Sequence, residues 1–292
     1  MPEEAFKLVF LPGDMVLHYL FKNSALNLVQ RLNRYLIEYN FFIACCALAL
    51  LGYFSLLMRY PFPAEIYIFT FFSTISTYNL FRGYPTFKAY LKDTGSVRFN
   101  LVLYGFVISG CCFFLLPDEI KLFYVALGIF TLMYKFNVLG KFNLRSIPYL
   151  KLPVIALVWV CTGSIYLLIN LHHLPDMARV SGVLVMQFFF FIAITIPFDV
   201  FGLIEDDMPT IPSRFGVRGS LLISKIFLAL YFVVALCIYQ RPVFLLASGI
   251  VAVVSAIAVH FSPLFERKMT QYYLVDGTII FQTLIFYLCL YR

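Results

Sequence analysis

The sequence predicts an all-α, polytopic membrane protein with nine transmembrane helices around a central cavity. Hydrophobic residues make up 62% of the 292 residues, charged residues only 13%, and the mean hydropathy is +0.89. A soluble globule of this size has too little polar surface to cover so many apolar side chains. The apolar runs are also about 18 to 22 residues long, which suits helices that cross the hydrocarbon core and satisfy their own backbone.

Hydropathy divides the chain into a polar N-terminal segment and a single transmembrane domain. Residues 1–38 are predicted to lie along the membrane interface, and residues 39–292 to form the transmembrane domain. Two of the predicted connections, 117–119 and 240–242, are short enough to be tight hairpins. The nine predicted helices cover residues 39–58, 64–81, 99–117, 120–135, 148–170, 180–201, 219–239, 243–261 and 272–291.

The distribution of positive charge predicts the orientation of this layout. Of the 22 Lys and Arg residues, 17 fall in the N-terminal segment and in the loops that follow helices 2, 4, 6 and 8. The positive-inside rule makes these loops cytoplasmic. The net charge of +7 is then mostly topogenic, with membrane lipid rather than nucleic acid as the expected partner. The lack of a transit-like extension favours a bacterial inner membrane.

Two helix ends share a short pattern that predicts an internal repeat. Helix 2 ends in "TYNLFRG" (77–83) and helix 6 in "PFDVFGL" (197–203), so residues 78–81 and 198–201 match as aromatic, amide or acid, aliphatic and Phe. We therefore expect two pseudo-repeated four-helix halves followed by a ninth helix. In such an arrangement Asn79 and Asp199 would face one another across the cavity.

Acidic residues gather at the end of helix 6, in "IPFDVFGLIEDD" (196–207). Asp199 and Asp206 are seven residues apart, so on a helix they share one face about 10 Å from each other. One metal ion cannot take both carboxylates directly. With Asn79 and Arg82 from the other half, they suit a divalent ion that bridges to a diphosphate, and Mg²⁺ prefers such hard oxygen ligands.

Over residues 35–292 the chain resembles the UbiA superfamily of intramembrane prenyltransferases. The stretch "FDVFGLIEDDMPTIPSRFGVRGS" (198–220) is similar to the family's second Asp-rich motif, and "YKFNVLGKFNLRSIPYLKLPVIALVW" (134–159) to the end of its helix 4 and the basic loop that follows. The resemblance implies a nine-helix bundle that binds an isoprenyl diphosphate through Mg²⁺ at the cytoplasmic ends of helices 2 and 6.

The resemblance also implies roles for individual residues. Asp199, Asp206 and Asn79 would hold the metal, and with Arg82 they would form the catalytic set. The implied substrate-binding residues are Lys88, Tyr134, Lys141, Arg145, Lys151 and Arg214.

The first Asp-rich motif is incomplete in this chain. Gly83 and Phe87 occupy the positions where the family carries acids, and Gly202 occupies a frequent acid position of the second motif. Arg82 and Lys88 could replace a metal by neutralising the diphosphate directly, because guanidinium binds phosphate oxygens in a bidentate manner.

Three functions are consistent with the sequence. The first is Mg²⁺-dependent transfer of a prenyl group from an isoprenyl diphosphate to an aromatic or other lipid-soluble acceptor. The second is a catalytically silent protein of the same fold that binds isoprenoids or lipids, which the incomplete first motif favours. The third is a small-solute transporter, although the sequence lacks the pair of helices broken by Gly or Pro near mid-membrane that such proteins often contain.

Overall fold

The computed structural model describes residues 33–136, 147, 149–169, 177–202, 210–264 and 272–290, and within these ranges it contains helices and no strand. Two short elements are a loop helix, Phe87–Lys92, and a π-helical turn, Tyr272–Asp276. The long helices are α1 (Phe41–Met58), α2 (Ala64–Gly83), α3 (Val97–Leu115), α4 (Asp118–Lys135), α5 (Lys151–Ile169), α6 (Met177–Phe201), α7 (Ile211–Ile238), α8 (Pro242–Phe261) and α9 (Gly277–Leu290).

Within the described residues, six helical segments are long and apolar enough to cross a membrane. They comprise α1, α3, α6 and α7, together with α8 and α9 extended by their adjoining turns. The all-helical fold and its compatibility with a membrane are therefore confirmed. Helices also occupy the predicted segments of α2, α4 and α5, while nine crossings and the repeat of two halves stay predictions.

Exposed apolar stripes run along several of these helices. Along α7, Leu222, Ile226, Val233 and Leu236 are all at least half exposed and recur at helical spacing. A similar stripe on α8 includes Leu246, which is 63% exposed. Contiguous apolar surface of this extent is unfavourable in water, so these faces are suited to hydrocarbon.

Helix α1 lies at the centre of the bundle, where it packs against α2, α5 and α9. The most extensive helix pairs are α2 with α3 and α6 with α7, while α3 and α4 contact each other very little. Leu50, Tyr53 and Phe54 of α1 are completely buried. The α1–α5 contact is close because Gly163 of α5 faces Leu50 and Phe54 without a side chain of its own.

One end of the bundle, which we call the polar end, contains the C-terminal ends of α2 and α6 and the N-terminal ends of α1, α5 and α9. The Arg82 guanidinium of α2 lies 4.7 Å from the centroid of the Tyr272 ring, which precedes α9. The same ring stacks on Phe198 of α6 at 5.3 Å. Asp199 pairs with Lys151 at the start of α5.

Helix α7 begins at Ile211, eight residues before the predicted start at 219. Thr210 and Ser213 form a capping box, but Gly216 (φ 66°, ψ 177°) interrupts the helical backbone. This conformation is accessible almost only to glycine. Hydropathy missed the first turn because Arg214 and Arg218 make it polar.

We expect Gly163→Ala to lower the free energy of unfolding by about 1–3 kcal/mol, the usual cost of overpacking a core. The added Cβ would lie 2.5 Å from Leu50 Cγ, and Leu50 is fully buried and has no room to move. Thermal unfolding of the detergent-solubilised chain measures the change. The matched control is Gly128→Ala, because a Cβ on Gly128 of α4 meets nothing within 4 Å and alanine favours a helix. Equal stability losses in the two variants would contradict the close α1–α5 contact.

Candidate functional site

The polar end gathers several buried polar side chains in a bundle that is otherwise apolar. Asn79, Asn40, Asp199 and Asp276 are 0%, 1%, 3% and 7% exposed, respectively. Buried ionisable groups are costly in a membrane protein, and they commonly mark functional sites. We therefore take this end as the candidate site.

Two asparagines and an arginine form one hydrogen-bonded network there. Asn40 Nδ2 donates to Asn79 Oδ1 at 3.1 Å, and Arg82 donates to Asn40 Oδ1 at 2.8 Å. Asn79 Nδ2 donates to the backbone carbonyls of Tyr39 and Ile75. The network fixes the end of α2 against the start of α1.

We predicted no role for Asn40, although an asparagine directly before an apolar run is a recognisable feature of the sequence. It directly precedes the apolar run of α1 and has a left-handed backbone (φ 63°), which asparagine tolerates better than most residues. Its side chain makes no capping bond to α1. The amide instead bridges Asn79 and Arg82.

Arg82 is the exposed cation of this network. Its guanidinium lies over the Tyr78 ring at 5.0 Å and over the Tyr272 ring at 4.7 Å, while Asn40 accepts one of its hydrogen bonds. Cation–π contacts of this kind hold the guanidinium plane. Because the side chain is exposed, the group is oriented and accessible to an anion.

Asp199 and Lys151, which were both predicted site residues, form an ion pair. The Lys151 ammonium lies 2.7 Å from Asp199 Oδ1, and the exposed fractions of the two side chains are 21% and 3%. Lys151 is the first residue of α5, and Asp199 lies in the last turn of α6. The pair joins these two helices at the polar end.

Asp276 is a buried acid that our sequence analysis missed. It lies in the π-helical turn before α9, within electrostatic reach of Arg82. The Cys46 thiol of α1 donates to its backbone carbonyl at 3.4 Å. π-Helical turns are frequent at functional sites, and a lone acid inside the apolar run "YYLVDGTII" was the available signal.

The ends of α2 and α6 are brought to the same end of the bundle, as predicted. Arg82 belongs to α2 and Phe198 to α6, and both contact the Tyr272 ring. Farther along these helices, Trp159 lies between Tyr78, at 6.4 Å, and Phe191, at 5.3 Å. A central cavity between Asn79 and Asp199 stays a prediction.

The other predicted site residues take different positions. Lys88 lies exposed on the loop helix, and Arg214 lies exposed over the Phe215 ring at 5.6 Å. Tyr134 is partly buried in the last turn of α4. The remaining three, Asp206, Lys141 and Arg145, lie outside the described residues.

The described donors do not by themselves fit a Mg²⁺ site. The Lys151 ammonium lies against Asp199 Oδ1, and Asn79 Oδ1 already accepts from Asn40. Among the residues that the structure describes, no three His, Cys, Asp or Glu side chains group closely enough to hold a metal ion. A metal would need Asp206 and a rearranged ion pair.

Comparison with protein-family models, with curated proteins and with solved structures finds no match to this chain. Its resemblance to the UbiA superfamily therefore depends on the sequence stretches quoted above, and membership of that family stays a prediction.

We expect the Lys151–Asp199 pair to show a coupling energy of about 0.5–3 kcal/mol, the range for residues in direct contact. The changes are Lys151→Met, Asp199→Asn and the double variant, compared with the native chain by chemical unfolding in micelles. Each single substitution removes the same ion pair, so the double variant should lose less stability than the two single variants together. Strict additivity would contradict the ion pair.

The α2–α3 loop should loosen in acid because of Asp93. Hydrogen bonds from the hydroxyls of Tyr84 (2.5 Å) and Ser96 (2.7 Å) lower the pKa of Asp93 below its ordinary value of 3.8. A lowered folded-state pKa stabilises the loop above pH ~4, and the contribution is lost as the pH falls through the folded-state pKa.

Amide hydrogen exchange in residues 84–96, corrected for intrinsic rates, measures this effect. Protection should fall below pH ~4 in the native chain, whereas Asp93→Asn should have weaker protection that changes little with pH. Asp118→Asn is the control, because Asp118 lies at the opposite end of the bundle. An unchanged pH profile in Asp93→Asn would show that this carboxylate does not order the loop.

Proposed function

We propose that this chain is an integral membrane prenyltransferase of the UbiA type, which transfers a prenyl group from an isoprenyl diphosphate to an aromatic or other lipid-soluble acceptor. The observation that carries the proposal is the buried, charged polar end where α2 and α6 end. There the oriented Arg82 and the Lys151–Asp199 pair lie at the edge of an apolar bundle. A molecule with an anionic head and an apolar tail matches this distribution of charge.

The packing of the helices supports two pseudo-repeated halves and nine crossings. The pairs α2–α3 and α6–α7 occupy equivalent positions in the two halves, and they are the most extensive pairs in the bundle. Successive helices end alternately at the polar end and at the opposite end of the bundle. This alternation agrees with the bias of Lys and Arg toward the loops at the polar end. On this proposal the polar end faces the cytoplasm of a bacterial cell.

Diphosphate departure is the step that these residues would assist. The bond between the prenyl C1 and the diphosphate oxygen breaks, its electron pair leaves with the diphosphate, and C1 becomes cation-like. Arg82 can donate two parallel hydrogen bonds to phosphate oxygens, and Lys151 can offset further charge if it turns from Asp199. Positioned cations of this kind stabilise the transition state more than the ground state.

The acceptor completes the balance of the reaction. A π pair of the aromatic ring forms the new C–C bond with C1, and the ring then loses a proton to restore its aromaticity. We assign this proton to Asp276, because it is a buried carboxylate near Arg82. The residues predicted to hold Mg²⁺ are Asp199, Asp206 and Asn79; a bound ion would supply further neutralisation of the diphosphate.

A catalytically silent isoprenoid-binding protein is the second candidate. It is favoured by the internal bonding of the predicted ligands: the Asn79 amide makes three hydrogen bonds within the protein, and Asp199 pairs with Lys151. Polar groups that bond one another in this way can serve structure alone. Such a protein would bind the isoprenyl diphosphate and release no diphosphate.

The test incubates the purified full chain with prenyl diphosphates of increasing length and an aromatic acceptor, with and without Mg²⁺, and measures diphosphate release and prenylated product. We expect Asp199→Ala and Asp206→Ala each to lower turnover at least about a hundredfold, because each would remove a carboxylate predicted to hold the Mg²⁺ that neutralises the departing diphosphate. Arg82→Gln should lower kcat as well as raise the KM for the prenyl diphosphate.

The matched control is Asp118→Ala, which removes an exposed carboxylate from the opposite end of the bundle and should retain full turnover. Binding of the prenyl diphosphate without release, under every condition, would establish the silent protein instead. Turnover that is equal with and without Mg²⁺, but is lost in Arg82→Gln, would show that side-chain cations replace the metal.

A further inference from the structure

Three basic side chains lie on the outer surface of α7 and α8. We call them the basic cluster: Arg218 and Lys225 of α7 and His260 of α8. Lys225 Nζ lies 3.2 Å from His260 Nδ1. Arg218 and His260 are exposed, and Lys225 is partly exposed. Because Arg218 and Lys225 are seven residues apart on α7, they lie on the same face of that helix.

Helix lengths place the basic cluster near one boundary of the hydrocarbon layer. His260 lies eighteen residues after Pro242, the first residue of α8, which is about 27 Å along the helix. The hydrocarbon core of a bilayer is about 30 Å thick. Lys225 lies thirteen residues, or about 20 Å, before Ile238 at the end of α7. Its backbone is therefore deeper in the layer, while its flexible side chain reaches His260.

The basic cluster combines positive charges without an acid to balance them. Among the residues that the structure describes, no carboxylate forms an ion pair with any of its three members. An ammonium group has three N–H donors, of which the His260 ring can accept one. Two bases in contact repel each other when both are protonated, and the positive-inside rule does not require such a contact. An anion between them would replace this repulsion by two charge-assisted hydrogen bonds.

The surface next to the basic cluster is apolar on both helices. Farther from the polar end, Ile226 and Val233 of α7 are each 50% exposed, and Val253 and Ile257 of α8 are 59% and 51% exposed. Helices α7 and α8 pack against each other, so the two exposed rows are neighbours. A molecule with an anionic head at the cluster and hydrocarbon chains along these rows matches this surface.

We propose that the basic cluster binds an anionic phospholipid of the surrounding membrane. The phosphate lies against Lys225 and His260, Arg218 lies beside the headgroup, and the acyl chains follow the exposed rows of α7 and α8. Charge favours this occupant over a second copy of the chain, because a symmetric contact would bring two basic clusters together. The site is on the outside of the bundle, and the proposal does not depend on prenyl transfer.

The test measures lipid binding to the full chain by native mass spectrometry, with phosphatidylglycerol as the probe. Phosphatidylcholine with identical acyl chains is its matched control, because its choline group cancels the charge of the phosphate. The Kd for phosphatidylglycerol should be at least about fivefold lower, which is the effect of one basic residue on an acidic lipid. Equal affinities would overturn the proposal. So would displacement of the lipid by an equal concentration of glycerol 3-phosphate, since that result would indicate a site for soluble phosphate esters.

Variants locate the binding. Lys225→Met and His260→Gln should each lose most of the preference for phosphatidylglycerol, and both should keep the native melting temperature because the two side chains reach the surface. The control is Arg241→Met, which removes one positive charge from an exposed residue at the other end of α8 and should retain the preference. An unchanged preference in both cluster variants, or an equal loss in all three variants, would refute the site. A dimer in neutral micelles that dissociates in Lys225→Met would identify a second copy as the occupant instead.

Discussion

The lack of hydrogen-bonding partners in hydrocarbon is the constraint on which the architecture of this protein depends. A polar group carried into the bundle is stabilised only where the protein itself supplies a partner. At the polar end, the asparagine network does this by joining the start of α1 to the end of α2. Arg82 is thereby held between two tyrosine rings, so the position of the accessible charge follows from how the buried amides are satisfied.

Much of the fold could be predicted because lipid imposes a simple pattern on the sequence. Long apolar runs mark helices, and the structure has helices at every predicted segment within the described residues. The location of Asn79 and Asp199 at one end of the bundle also followed from the even number of helices, α3 to α6, that the chain passes through from one residue to the other. The interruption of α7 at Gly216 could not be predicted, because hydropathy is averaged over a window of residues and carries no information on the backbone angles of one glycine.

Partners and isolated polar residues were harder to predict. Lys151 and Asp199 were both candidate site residues, but their pairing depends on how α5 and α6 pack, which short sequence patterns do not encode. Asp276 was not predicted because the site prediction relied on a cluster of acids, and Asp276 stands alone in the sequence. In a membrane domain a lone buried acid is the stronger signal, since its desolvation is unfavourable wherever it has no role.

The contact between Gly163 and the α1 side chains has a consequence for movement within the bundle. It forms a tight seam between α1 and α5, and packed cores resist continuous deformation. Any sliding of α5 along α1 would have to carry Gly163 past Leu50. Helices α3 and α4 share almost no such packing, so an opening between this pair toward the bilayer would break few contacts. Hydrophobic molecules would then exchange with the surrounding lipid directly rather than pass through water.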